Sequence, residues 1–170
     1  MKKAIIIDVF GDHKAGKTTV ISRVGNALKK KGVKFIGIKV MEQNKEFALD
    51  RVGSDTWRVW KSGALCTVLI TFNDYGIFFH DKPEIQKIVE FLPYNIDFVF
   101  VEGPTMDTDY KILCLTSERN IKKYDLRKVI AISGIFTNEY KEKTLLGKPV
   151  FNAIAEAKTF AEYIMKLKNQ

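Results

Sequence analysis

Gly11-Asp12-His13-Lys14-Ala15-Gly16-Lys17-Thr18-Thr19 sets a Lys-Thr pair directly behind the second of two spaced glycines. The spacing is G-x-x-x-x-G-K-[ST], that of a phosphate-binding loop. Glycine at each end lets the backbone turn tightly and leaves no Cβ in the way of an anion. The N–H groups between them would converge on a β-phosphate, at the positive end of the helix that follows. Lys17 would reach the β- and γ-phosphates, and the Thr18 hydroxyl would bind Mg²⁺. Every residue from Gly11 to Thr19 is thus a candidate nucleotide contact. Two stay open individually: His13 could touch a phosphate or face solvent, and Lys14 could add charge at the γ-phosphate or be exposed.

Further acids and amides could complete such a site. Phe98-Val99-Phe100-Val101-Glu102 is four apolar residues and then a carboxylate. This is the pattern of a strand that delivers an acid to the metal or to one of its waters. Gly103-Pro104 gives that strand a sharp exit. Asp55, beyond a long polar stretch that includes Asp50, could hold a metal-bound water or merely start a helix. Ser133-Gly134 and Thr137-Asn138 close a late apolar run, so Asn138 could read a purine base or form an ordinary turn. There is no N-K-x-D, and neither His13 nor His80 has the partners of a general base, so catalytic residues are unassigned.

The elements that must position these groups follow from periodicity. An Ile-rich run over 3–10 predicts a buried strand in front of the loop. Val20, Ile21, Val24, Ala27 and Leu28 predict a helix over 18–31, closed by Gly32. Further strands are expected at 33–40, 64–71, 77–80, 96–104, 110–116, 128–136 and 149–151. Those at 64–71 and 77–80 form a hairpin around 72–76. Helices are expected at 55–61, 83–92 (opened by Pro83) and 153–167. Strands alternating with helices around such a loop predict an α/β fold. The expectation is one three-layer P-loop NTPase-like nucleotide-binding domain over 1–170, with a mostly parallel sheet flanked by helices, plus the hairpin.

Composition narrows the partners. The apolar and charged fractions, 46% and 28%, are those of a folded globular protein. No apolar run is long enough for a membrane span, so no membrane role is expected. Cys66 and Cys114 lie in apolar runs without C-x-x-C spacing, which suggests two buried thiols in a reducing compartment and a cytoplasmic protein. The formal charge is +8, from 28 Lys and Arg against 20 Asp and Glu. No nucleic-acid recognition motif accompanies it, so nucleic acid is not an expected partner. An anionic small substrate or an acidic protein would benefit from the same charge.

Three blocks carry a resemblance to a known family. The first is the loop from Gly11 to Thr19, followed by Lys31-Gly32-Val33 and Ile36-Gly37-Ile38-Lys39. The second is Asp50-Arg51-Val52-Gly53-Ser54-Asp55-Thr56-Trp57-Arg58, then Ser62-Gly63-Ala64. The third is Phe100-Val101-Glu102-Gly103. In this order and at these distances they resemble the MobB family, the molybdopterin-guanine dinucleotide biosynthesis protein B. The resemblance implies a GTP-binding, weakly GTP-hydrolysing accessory protein of molybdenum (or tungsten) cofactor maturation. Its partner would be the MobA-like nucleotidyltransferase that joins a guanosine nucleotide to the molybdopterin cofactor. It also implies a homodimer, and it raises Asp55 and Glu102 to magnesium-site residues. Two departures stand out: Val40-Met41-Glu42-Gln43-Asn44 replaces a His-rich segment of the family, and Arg51 to Ser54 lacks the family's Pro and Lys. A small-molecule kinase, or a non-catalytic adaptor that a nucleotide stabilises, would use the same loop.

Overall fold

The computed structural model describes residues 3–41, 51–79 and 84–169. The chain forms two compact units, one of residues 1–42 and 94–170, the other of residues 43–93. Asp50, His80 and Pro83 lie outside the described residues.

The first unit opens with β1 (Ile5–Gly11), α1 (Lys17–Lys30) and β2 (Phe35–Lys39). The second unit holds α2 (Asp55–Lys61), β3 (Cys66–Ile70), β4 (Tyr75–Phe79) and α3 (Ile85–Phe91). The chain then returns to the first unit with β5 (Phe98–Glu102), β6 (Tyr110–Cys114) and β7 (Val129–Ser133). It ends with a small hairpin, β8 (Thr144–Leu145) and β9 (Lys148–Pro149), and α4 (Ala157–Met165).

The main sheet has the order β2-β5-β1-β6-β7, and each neighbouring pair is parallel. Gly11, Glu102, Cys114 and Ser133 therefore all end strands on one edge of the sheet. From β1 the chain moves outward past β5 to β2; from β6 it moves the other way to β7. Diverging connections of this kind open a crevice at the carboxyl edge of a parallel sheet.

Both faces of the sheet are buried along β5, β1, β6 and β7, which is why those strands read as nearly continuous apolar runs. Ile7, Val9, Phe98, Phe100 and Ile112 pack against Val20, Val24 and Leu28 of α1 and Phe160 and Ile164 of α4. Phe10, Leu113, Leu115 and Ile132 point the other way, onto Ile121, Phe136 and Val150. Side chains alternate across each strand, so a single run feeds both layers. Among the described residues no helix is long and apolar enough to cross a membrane.

Several boundaries differ from the sequence reading, each for a local reason. The strand expected over 128–136 stops at Ser133, and Ile135–Asn138 forms a 3-10 turn. There the Ile135 N–H donates to the Ala15 carbonyl at 3.1 Å and leaves the ladder. The helix expected from 153 begins at Ala157. Ahead of it the Asn152 side-chain oxygen accepts from the N–H groups of Ile154 and Ala155, at 3.0 and 3.1 Å, and holds a separate turn. The strand expected over 149–151 reduces to β9 and a single parallel bridge between Val150 and Ile132. Only one of the two thiols is deeply buried: Cys114 is enclosed, and Cys66 at the start of β3 is half-buried.

In the second unit the Ser54 hydroxyl caps α2, accepting from the Trp57 N–H at 3.1 Å. β3 and β4 pair antiparallel, from Cys66 opposite Phe79 to Ile70 opposite Tyr75. The turn closes through Thr71, whose N–H donates to the Asp74 carbonyl at 2.7 Å. Phe79 meets Phe91 of α3 edge to face, with ring centroids 5.2 Å apart.

Candidate functional site

The phosphate loop is built where β1 runs out beside β6. Gly11 stands opposite Cys114 in register, at φ 125°. A Cβ there would drive into the Cys114 carbonyl, so both the backbone angle and the close approach of β6 demand glycine. Beyond it the Asp12 N–H donates to that same carbonyl at 3.0 Å. Gly16, at φ 86°, turns the chain into α1. No side chain caps that helix and no acid sits in its first turn, which leaves its leading N–H groups and dipole available to an anion. The Lys17 ammonium bends back over the loop and donates to the carbonyls of Gly11 (3.2 Å) and Asp12 (2.5 Å). His13 and Lys14 are exposed.

Glu102 ends β5 between Val9 and Lys39 in register. The Thr18 hydroxyl donates to its Oε2 at 2.7 Å, and the Lys39 ammonium lies 3.5 Å from its Oε1. Two residues far apart in sequence thus present neighbouring oxygens at the foot of the loop. That donor set fits Mg²⁺, which takes one or two protein oxygens and completes its shell with water and substrate phosphate. The connection after Glu102 is fastened from β1: Met106 N–H and Thr105 Oγ1 donate to Asp8 Oδ2, at 2.9 and 3.2 Å. Burial pushes the Asp8 carboxyl up, against those hydrogen bonds and the Lys111 charge, and its Oδ1 has no hydrogen-bond partner among the described residues. Asp55 belongs to the second unit. It is the first residue of α2, is fully exposed, and lies 3.8 Å from Arg58.

The side chain of Asp12 has a role that the motif does not announce. Its Oδ2 accepts from the Thr116 N–H (2.8 Å), the Thr116 hydroxyl (2.8 Å) and the Asn120 amide (2.7 Å). Its Oδ1 accepts from the Tyr124 hydroxyl at 2.7 Å. Burial alone would raise this carboxyl; the four hydrogen bonds outweigh it and bring it down to about 2. Asp12 therefore ties the loop to the 3-10 segment Glu118–Lys123, and only its backbone faces the phosphate side. The sequence does carry a trace of this: Thr116, Asn120 and Tyr124 recur at four-residue steps, as one polar face of a helical turn does.

A cleft of about 90 Å³ adjoins the loop, lined by Gly16 and Thr19 on one side and by Ile135, Asn138, Asn152 and Ile154 on the other. Asn138 is thereby brought to the same cleft as the loop. Its Oδ1 accepts from Asn152 Nδ2 at 3.2 Å. Asn152 is a member of this site that sequence reasoning missed; an Asn ahead of a helix is the signal that could have found it.

Comparison with known proteins identifies the family and the fold. The family model of molybdopterin guanine dinucleotide synthesis protein B (MobB) matches residues 6–134. A Methanocaldococcus jannaschii protein, described as a proposed molybdopterin-guanine dinucleotide biosynthesis adapter, is 38% identical over 99 residues. That match covers 58% of this chain and 40% of the relative, so the chain spans less than half of that protein's length. Among solved structures, Bacillus subtilis MobB superposes with a TM-score of 0.71 at 20% identity, over 95% of this chain and 96% of its own. A second, a molybdopterin-guanine biosynthesis protein B, gives 0.68 at 20% identity, over 96% and 99%.

Proposed function

The chain belongs to the molybdopterin guanine dinucleotide synthesis protein B family, and from that premise we propose that it is a Mg²⁺-dependent GTP-binding adapter in molybdopterin-guanine dinucleotide synthesis. Its partners are a MobA-like nucleotidyltransferase and the molybdopterin cofactor, and its own chemistry is at most slow GTP hydrolysis. The observation that carries the nucleotide reading is the meeting of Thr18 with Glu102 at 2.7 Å beneath the Lys17-braced loop. Bound Mg²⁺ would supply charge neutralisation at the β- and γ-phosphate oxygens. Thr18 and Glu102 would hold it, while the loop amides and Lys17 hold the phosphates and Asn138 contacts the base. Among the described residues of the loop no side chain is poised as a general base, which suits a slow hydrolase working as an adapter. The excess positive charge favours a phosphorylated pterin and an acidic partner surface.

Calorimetry with GTP, with and without Mg²⁺, tests this reading. In the native chain Mg²⁺ is expected to tighten binding. Glu102→Gln keeps the shape but removes the charge, and should reduce that Mg²⁺-dependent gain by about tenfold. Binding that ignores Mg²⁺ in both proteins would refute the assignment of Thr18 and Glu102.

The homodimer is supported by the hairpin of the second unit. Ile70, Phe72 and Tyr75 are 77%, 101% and 71% exposed, and Leu65 is 92% exposed. Ile70 and Tyr75 stand opposite each other in register with Phe72 in the turn between them, and exposed apolar side chains gathered at one end of a hairpin mark an interaction surface. Sedimentation equilibrium should give twice the 19.5 kDa chain mass. Replacing Ile70 and Phe72 together by Ser should shift the chain to monomer; a native chain that sediments at the single-chain mass would remove the dimer.

A further inference from the structure

The cleft beside the phosphate loop has the makings of a purine pocket with a built-in preference. Ile135 and Ile154 line it and are 47% and 60% exposed, apolar surfaces against which the face of a planar ring can lie. Gly16 and Thr19 belong both to the cleft wall and to the loop. A ligand with phosphates on the loop can therefore reach this cleft with its other end. The polar groups there are the amides of Asn138 and Asn152, and their orientation is fixed by backbone atoms. Asn152 Oδ1 accepts from the N–H groups of Ile154 and Ala155, so Nδ2 is the end that faces Thr137 and Asn138. Nδ2 donates to the Thr137 carbonyl at 3.2 Å, and the same nitrogen donates to Asn138 at 3.2 Å. A donor can only meet an acceptor, so the Asn138 oxygen is held toward Asn152 and its NH₂ is the end left for a ligand.

This constraint chooses between purines. A freely rotating Asn pairs with adenine through both ends of its amide, accepting from the 6-amino group and donating to N7. An Asn whose oxygen is turned toward Asn152 presents its NH₂ end to the cleft. Guanine presents acceptors at O6 and N7, whereas adenine would set an amino donor against the amide NH₂. Building on the proposal that the loop binds a nucleoside triphosphate, we infer that Asn152 is a positioning residue that locks Asn138 as a donor, making the cleft selective for 6-oxopurines.

The test is calorimetry with GTP, ITP and ATP, each with Mg²⁺, on the native chain and on Asn152→Asp. ITP keeps the 6-oxo group and lacks the 2-amino group, so it isolates the contact in question. The native chain should bind GTP and ITP about tenfold more tightly than ATP, the worth of one good hydrogen bond against a donor–donor clash. Asn152→Asp keeps the acceptor for Ile154 and Ala155 but turns the donor facing Asn138 into an acceptor. Asn138 should then reverse its amide, and the GTP-to-ATP ratio should fall to one or below. Should that variant fail to fold, Asn138→Ala, at an exposed position, should likewise bring the ratio to about one. Equal binding of all three triphosphates by the native chain, or a ratio unmoved by either substitution, overturns this inference and leaves nucleotide binding intact. No binding of any triphosphate overturns the nucleotide reading, and the inference falls with it.

Discussion

Lys17→Ala is expected to weaken GTP binding by at least about a hundredfold, with little change in the stability of the fold. Two losses combine. The substitution removes the one loop cation whose ammonium bends back over the loop, and truncating one partner of a charged, hydrogen-bonded contact costs about 2–5 kcal/mol. It also removes the brace that Lys17 forms on the Gly11 and Asp12 carbonyls, so the loop must then be ordered by the ligand itself. Those carbonyls lie in a partly exposed loop and can turn to water, which keeps the stability cost near that of an ordinary hydrogen bond, about 1 kcal/mol. Lys17→Arg should not rescue binding, because a planar, larger guanidinium cannot occupy the place of a compact ammonium inside the bend. Calorimetry against GTP, beside a thermal melt of the same protein, separates the two effects. A variant that melts normally and still binds GTP like the native chain would rule out the loop as the phosphate site.

What the sequence made legible follows from how local each feature is. The loop, the strand before it and the helix after it are written in contiguous residues, because the glycine positions, the apolar period and the Lys-Thr pair act within one turn of chain. Glu102 was legible for the same reason: four apolar residues ending in an acid describe both a buried strand and the place where it surfaces. The partners of these groups were not legible. Asp12 reads as one more residue between two glycines, yet its side chain bonds to residues 104 to 112 positions away. Lys39 and Glu102 meet only because β2 pairs with β5 rather than with β1, a matter of strand order that no local pattern encodes. The 128–136 run was overextended because Ile135 and Phe136 are apolar enough to continue a strand. The chain leaves the sheet there to bond with the back of the phosphate loop, a tertiary contact that overrides propensity. Asn152 sits between these cases. Its position ahead of a helix is a local signal, and its grip on Asn138 is not.

Asp12→Ala should destabilise the fold by roughly 3 kcal/mol at neutral pH, more than its place in an exposed loop would suggest. The carboxylate in the native chain stands at about 2, against an ordinary value of 3.8. A carboxyl lowered on folding contributes stability that is fully present above its unfolded value and drains away as the pH falls through the folded one. The difference here corresponds to about 2 kcal/mol, held above about pH 4 and lost toward about pH 2. Alanine forfeits this and strands the Thr116, Asn120 and Tyr124 donors as well. Tyr124 keeps its proton and stays an unpaired donor, since burial alone already raises its hydroxyl. Asp12→Asn offers one oxygen in place of two, and should cost about half as much. Urea denaturation at a series of pH values checks the sign as well as the size. The gap between the native chain and Asp12→Asn should be widest near neutrality, start to narrow below about pH 4 and close toward about pH 2. A gap that stays constant down to acid pH would mean that the charge of Asp12 does not hold the loop to the 116–124 segment, and that the shape of its side chain alone does.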